Sequence, residues 1–237
     1  MWSEGLVVEE FVDGDEYAVQ VSISGGDYTV LPMVWEYQRL YDGGRGPNTG
    51  GMGAVAPVPI DEELLSLVKN LIEKTLKGLL KENLSYNGFL YIGVMATGRG
   101  LKVLEYNVRL GDPESEVVVT LDEKGFVKMI KDMMFDRLPE DLDTSGVSVA
   151  VSVVTDNAPY GFNEVPISVD TFEDIYFDHV KMKDDGSLWV SGWRPCVVVG
   201  RGKSYREAVK RAYEKVDLVR FDGKYYRKDI GLSLIYK

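Results

Sequence analysis

Leu101-Lys102-Val103-Leu104-Glu105-Tyr106-Asn107-Val108-Arg109 alternates like a β-strand, and its polar residues are of three particular kinds. On a regular strand Leu101, Val103, Glu105, Asn107 and Arg109 share one face, so two apolar residues lead into a carboxylate, a carboxamide and a guanidinium. A hard cation such as Mg²⁺ takes oxygen ligands, with phosphate oxygens completing its shell. Glu105 and Asn107, one pleat apart, suit such an ion, and Arg109 suits a phosphoryl oxygen. The pattern alone equally describes a strand with a polar solvent face ending in an ion pair.

Outward from this run, the turn Thr97-Gly98-Arg99-Gly100 joins it to a strand over 88–96. Before that strand comes the clearest helix. Asp61 caps it, Glu62 and Glu63 lie in its first turn, and Leu64, Leu65, Val68, Leu71, Ile72, Leu76, Leu79 and Leu80 form one stripe. A second helical region spans about 114–135, with an interruption expected near Gly125. Upstream, 6–12 reads as a strand, and 17–23 and 28–34 as a hairpin turning at Ser24-Gly25-Gly26-Asp27. Periodicity is lost at Leu138-Pro139-Glu140-Asp141. This places a domain boundary there, giving units at 1–137 and 146–237. In the second unit Ser204-Tyr205-Arg206-Glu207 is a capping box opening a helix.

The 237 residues include 27 Lys+Arg and 38 Asp+Glu, a net charge of −11, which argues against a nucleic-acid partner. No stretch approaches the ~18 uninterrupted apolar residues of a membrane span. Met1-Trp2-Ser3-Glu4-Gly5 does not read as a secretory signal, so the expectation is a cytoplasmic protein. Cys196 is the only cysteine and His179 the only histidine, which excludes an internal disulfide and multi-His or multi-Cys metal centres. Cys196 beside Val197-Val198-Val199 reads as an inert buried thiol, and His179 as a hydrogen-bonded structural residue.

Gly46-Pro47-Asn48-Thr49-Gly50-Gly51-Met52-Gly53 lets backbone N–H groups approach an anionic ligand, yet it ends in neither Gly-Lys-Ser nor Gly-Lys-Thr. A flexible connection is the other reading of this loop. Glu9 and Glu10, with Glu16 after a turn, are a weaker signal, since surface carboxylates are common.

Taken together, three segments carry more than each does alone. Residues 8–16 (Val-Glu-Glu-Phe-Val-Asp-Gly-Asp-Glu), the loop 46–53, and 104–114 (Leu-Glu-Tyr-Asn-Val-Arg-Leu-Gly-Asp-Pro-Glu) resemble, in this order, the phosphoribosylamine–glycine ligase family of the ATP-grasp superfamily. Residues 221–231 resemble its C-terminal signature. The resemblance implies an α+β fold: the C-terminal lobe of an ATP-grasp fold, an antiparallel sheet with helices, plus a small mixed α/β C-terminal domain. It implies ATP-dependent ligation of glycine to 5-phosphoribosylamine through an acyl phosphate, with ATP and Mg²⁺ (or Mn²⁺) as cofactors.

Carried over residue by residue, Glu9, Glu10 and Val12 belong to the hinge meeting adenine and Glu16 to the ribose. Glu105 and Asn107 would hold the metal, and Arg109 would be the catalytic residue stabilising the transferred phosphoryl group. Arg39, Asp42, Pro47, Asn48, Thr49, Gly50 and Asp112 would face substrate. The family's N-terminal domain and ATP-covering lobe have no counterpart in this chain, so a missing N-terminal half on a separate chain is a candidate partner. Trp35-Glu36-Tyr37-Gln38-Arg39 keeps only the arginine of the family's Gln-Asp-His-Lys-Arg. That departure leaves two alternatives, a ligase for another carboxylate and amine, or a non-catalytic regulatory or binding subunit.

Overall fold

The computed structural model describes residues 8–235. The strand expected over 6–12 is not present at 8–12, and Leu6 and Val7 lie outside the described residues. Among the described residues no strand pairs with 8–12, and a strand's backbone groups need such pairing. The first strand is β1 (Asp15–Ser24), buried from Tyr17 onward on both faces. It turns through Gly25 and Gly26, at φ 60° and 86°, into β2 (Asp27–Val30). Then come β3 (Val34–Glu36), β4 (Arg39–Tyr41), β5 (Arg45–Asn48) and β6 (Gly53–Ala56). The predicted long helix is α1 (Glu62–Lys81), with Leu64 N–H donating to the Asp61 carboxylate at 2.7 Å. Leu80, assigned to its apolar stripe, is 70% exposed.

β7 (Gly88–Thr97) and β8 (Gly100–Asn107) follow as a hairpin. The second helical region is two helices, α2 (Glu114–Leu121) and α3 (Glu123–Met134). The break falls at Asp122, three residues before the expected Gly125. Asp122 caps α3 by accepting from Gly125 N–H at 2.8 Å, and a Cβ at Gly125 would stand 2.0 Å from the same carboxylate. Gly125 thus marks the cap and not the break. The chain continues with β9 (Val147–Thr155), β10 (Ser168–Val169), β11 (Ile175–Phe177), β12 (Val180–Met182), β13 (Leu188–Val190) and β14 (Cys196–Gly202). It ends with α4 (Tyr205–Val216), β15 (Val219–Arg220), β16 (Lys224–Tyr225) and α5 (Leu232–Ile235).

Ten of these strands make one antiparallel sheet. Its main path is β11-β14-β9-β6-β3-β1-β7-β8, with β2 on β1 and β16 on β9. The β6–β9 ladder carries the sheet without a break from residues before 137 into residues after 146. Helices cover both faces, as the α+β expectation requires. On one face Val68 and Ile72 of α1 and Ala208, Val209, Ala212 and Val216 of α4 pack on Val19, Val21, Ile92 and Val149. On the other, Val117 and Val118 of α2 and Phe126 and Met129 of α3 pack on Ala18, Val34, Ala54 and Ala150. Each fully buried aliphatic or aromatic side chain contributes about 1.5–3 kcal/mol, so both layers are needed to hold so wide a sheet. The second face carries the polar residues described next.

Candidate functional site

The hairpin β7–β8 contains one extra residue. Glu105 pairs with Gly93 and Val103 pairs with Val94, so Leu104 stands opposite nothing. Such a bulge reverses which way the following residues point. Leu101 and Val103 therefore face the α1 side, with Ile92 and Val94. Glu105 and Asn107 face the α2 side, opposite Gly93 and Tyr91. The single face expected for Leu101, Val103, Glu105, Asn107 and Arg109 is thus corrected, and Arg109 lies past the end of the strand.

Gly93 makes room for this arrangement, since a Cβ there would lie 3.2 Å from Glu105 Cγ and 3.4 Å from Tyr91 Cε1. Asn107 Nδ2 donates to Glu105 Oε1 at 2.8 Å and holds the two side by side. Arg109 Nη1 donates to the Leu110 carbonyl at 2.8 Å and is exposed.

Behind this pair is a buried acidic node that no local sequence signal marks. Glu36 of β3 accepts from Tyr91 Oη at 2.8 Å and from Gln38 Nε2. Its carboxyl also interacts with that of Glu114, at the start of α2. Glu36 is 6% exposed and Glu114 1%. Burial first, then the charge of Glu36, pushes the Glu114 carboxyl well above the usual carboxylate range. Burial also raises Glu36. Two buried carboxylates side by side disfavour double ionisation, so the pair favours retaining a proton. Gln20 accepts from Gly111 N–H at 2.9 Å, while Gln20 Nε2 and Glu114 Oε1 have no partner among the described residues.

Glu16 faces the same region. Its carboxyl is pushed up to about 7, first by burial and then by Glu36 and Glu105, with Arg39 opposing. The face thus presents hard carboxylate and carboxamide oxygen atoms, which is the donor chemistry a magnesium ion takes. Among the described residues no group of three or more His, Cys, Asp or Glu side chains is arranged to hold a metal. Glu105 and Asn107 are a two-residue platform, with room for phosphate and water in the rest of a shell.

The glycine loop is ordered by its own hydrogen bonds. Thr49 N–H and Thr49 Oγ1 both donate to the Gln38 carbonyl at 2.9 Å, and Thr49 Oγ1 accepts from Gly51 N–H at 3.1 Å. Asn48 and Gly50 are exposed and Pro47 half-buried. Gly51, at φ +103°, presses on the next part of the site: a Cβ there would stand 2.5 Å from Pro113 Cδ. Asp112 is therefore beside the loop. Burial raises its carboxyl and Arg194 opposes that shift.

Arg194, which sequence reasoning passed over, ties these parts together. It is 5% exposed and comes from the chain just before β14. Its Nη2 donates to the Asp112 carboxylate and its Nε to Asp178 Oδ2 at 3.2 Å. Its Nη1 donates to the Gly50 carbonyl at 2.9 Å and to the Gly51 and Asp112 carbonyls at 3.4 Å. His179 Nδ1 lies 3.0 Å from Asp178 Oδ2 and 3.1 Å from the Arg194 carbonyl, the structural role expected of it. Cys196 is buried, and burial pushes its thiol up to about 12, which makes it inert.

The other candidates are placed less directly. Arg39 Nη1 donates to the Gly46 carbonyl at 2.9 Å, bracing the loop's base. Asp42 Oδ1 accepts from Lys228 N–H at 2.8 Å, and Gly43 N–H donates to Asp229 Oδ2 at 2.8 Å. Arg227 forks onto Asp229 and donates to the Arg39 carbonyl at 3.0 Å. Residues 227–229 thus brace β4 and the β4–β5 turn, just before the glycine loop. Glu9 is exposed, Val12 half-buried, and Glu10 pairs at 2.7 Å with Lys102. The structure brings Glu16, Glu105 and Asn107 onto one face and Asp112 onto the glycine loop, and leaves Glu9, Glu10 and Val12 outside that node.

Known proteins resemble this chain along most of its length. Residues 2–115 match the family described as phosphoribosylglycinamide synthetase, ATP-grasp (A) domain, and residues 151–233 match phosphoribosylglycinamide synthetase, C domain. A phosphoribosylamine–glycine ligase of Thermotoga maritima is 40% identical over 230 residues, covering 96% of this chain and 57% of that protein. One from Clostridium acetobutylicum is 36% identical over 238 residues, covering 96% and 56%. The crystal structure of the Thermotoga maritima ligase superposes with a TM-score of 0.88 at 39% identity, covering 93% of this chain and 56% of that one. The biotin carboxylase domain of a thermophilic 2-oxoglutarate carboxylase gives a TM-score of 0.63 at 15% identity over 89% of this chain and 47% of its own, a likeness of fold alone. The chain spans a little over half the length of the curated relatives it matches.

Proposed function

We propose that this chain, which belongs to the phosphoribosylglycinamide synthetase family, is the part of a cytoplasmic phosphoribosylamine–glycine ligase that holds the metal, the transferring phosphoryl group and the phosphosugar. The observation that carries the reading is the bulge at Leu104. It turns Glu105 and Asn107 onto the α2 face of the sheet, and Asp112, just before α2, lies beside the glycine loop. Bulges are frequent beside active sites, where they re-aim a side chain.

The reaction joins the glycine carboxylate, activated as its phosphate, to the amine of 5-phosphoribosylamine. Glu105 and Asn107 would hold the cation, which when bound would offset phosphate charge. Arg109, on the turn after β8, meets the moving phosphoryl oxygens, where a fixed positive charge is worth most. The glycine loop carries Asn48 and open backbone toward the phosphosugar, and Asp112 takes a position beside its amine. The Glu36–Glu114 pair, retaining a proton, limits the negative charge behind the phosphates. ATP needs a second wall, supplied by the N-terminal portion that the relatives possess and this chain does not span.

The test is ADP release with ATP, Mg²⁺, glycine and 5-phosphoribosylamine. The chain alone gives none; the chain with its N-terminal portion gives glycine-dependent turnover, abolished by Glu105→Ala. Turnover that ignores glycine but responds to another carboxylate would overturn the substrate assignment.

A further inference from the structure

We propose that Arg194 is a positioning residue that clamps the glycine loop to Asp112 and so shapes the place where the amine-bearing phosphosugar binds. The inference rests on the functional reading above for its ligand and on geometry alone for the clamp. One buried guanidinium spends its donors on the Gly50, Gly51 and Asp112 carbonyls and on the Asp112 and Asp178 carboxylates. Those groups come from three separate stretches of chain: the loop after β5, the turn before α2, and the segment between β11 and β12. Each stretch is irregular, so no strand ladder fixes it against the others.

A planar fork with five N–H groups reaches all of these acceptors at once, which an ammonium does not. The surroundings are built to keep the side chain in place. Asp178 holds its Nε edge, His179 Nδ1 sits 3.0 Å from that same carboxylate, and the Trp193 ring lies 5.5 Å from the guanidinium carbon. Ser152 Oγ, donating to the Gly51 carbonyl at 2.8 Å, braces the loop from β9. Arg194 belongs to the stretch matched as the C domain, and its acceptors Gly50, Gly51 and Asp112 to the stretch matched as the A domain. The C domain thus contributes to the site by fixing another domain's loop. Arg194 itself has its donors occupied and is not a catalytic residue.

The experiment compares the unmodified chain with Arg194→Lys and Asp112→Asn. The first readout is amide hydrogen exchange at Thr49, Gly51 and Met52, whose N–H groups are bonded within the loop and to β3's continuation. The second is calorimetric binding of the ligation product, 5-phosphoribosyl glycinamide. Arg194→Lys should speed exchange at these three amides and weaken product binding, each about tenfold or more, with the melting transition still cooperative. Asp112→Asn combined with Arg194→Lys should be little worse than Arg194→Lys alone, because the two act as one unit. Unchanged exchange in Arg194→Lys overturns the clamp. Faster exchange with unchanged product affinity overturns its link to the phosphosugar. If the unmodified chain does not bind the product, the functional reading fails, and exchange alone decides whether the clamp exists.

Discussion

Val103 and Glu105, two positions apart on one strand, point to opposite faces of the sheet because Leu104 between them has no residue opposite. Inserting one residue between Gly93 and Val94 should give Leu104 a partner, restore plain alternation through Val103 and Glu105, and drive Glu105 and Asn107 toward the α1 side. Forcing a carboxylate into that layer costs several kcal/mol, about 3 or more, whereas Leu104→Ala leaves the bulge and costs about 1–2. Urea denaturation of both variants checks the order. Equal midpoints would show that the bulge does not set the face.

The acidic node makes the metal-free protein less stable as pH rises. Glu16 ionises near 4.5 when unfolded and near about 7 when folded. Its folded pKa is raised, so the unfolded state releases its proton first and stability falls across that window. Glu16→Gln in chelator should flatten the slope by about 1–2 kcal/mol, a figure already reduced for partial exposure. A slope unchanged between pH 4.5 and 7 contradicts the placement of Glu16 beside Glu36 and Glu105.

Free Mg²⁺ should bind weakly. One carboxylate and one carboxamide leave most of an octahedral shell to phosphate and water, so affinity depends on nucleotide. Calorimetry should detect no tight Mg²⁺ site in the chain alone. Tight binding that survives Glu105→Ala would refute the Glu105–Asn107 platform.

Asn48 and Thr49, adjacent in the loop, should behave differently. The Thr49 hydroxyl donates to Gln38 and accepts from Gly51, so Thr49→Ala should cost about 1 kcal/mol of stability. Asn48 is exposed, and Asn48→Ala should leave the melt unchanged while weakening binding of the ligation product. The opposite pattern would exchange their roles.

The two units proposed at 1–137 and 146–237 share a sheet through β6 and β9. Protease cutting within 138–146 should therefore give two fragments that stay together on gel filtration in native buffer and part in urea. Fragments that separate without urea would mean that this ladder contributes little.

The sequence by itself determined the elements whose signals are local. The cap at Asp61 and the stripe through Val68 and Ile72 defined α1, and Ser204 opened α4, because side chains within four residues carry that information. The runs at 46–53 and 104–114 likewise carry the glycine loop and Glu105, Asn107 and Asp112, the residues proposed for metal and substrate.

Only the tertiary structure decided which way those side chains face and what stands behind them. The Leu104 bulge exists because β8 must keep register with β7, and alternation within 101–109 carries no trace of its partner. Glu36, Tyr91 and Glu114 meet because β3, β7 and α2 do, and Arg194 reaches Asp112 because β9 and β14 extend the sheet that holds the glycine loop. A buried charge is fixed by the partners that offset its desolvation, and here those partners are remote in sequence.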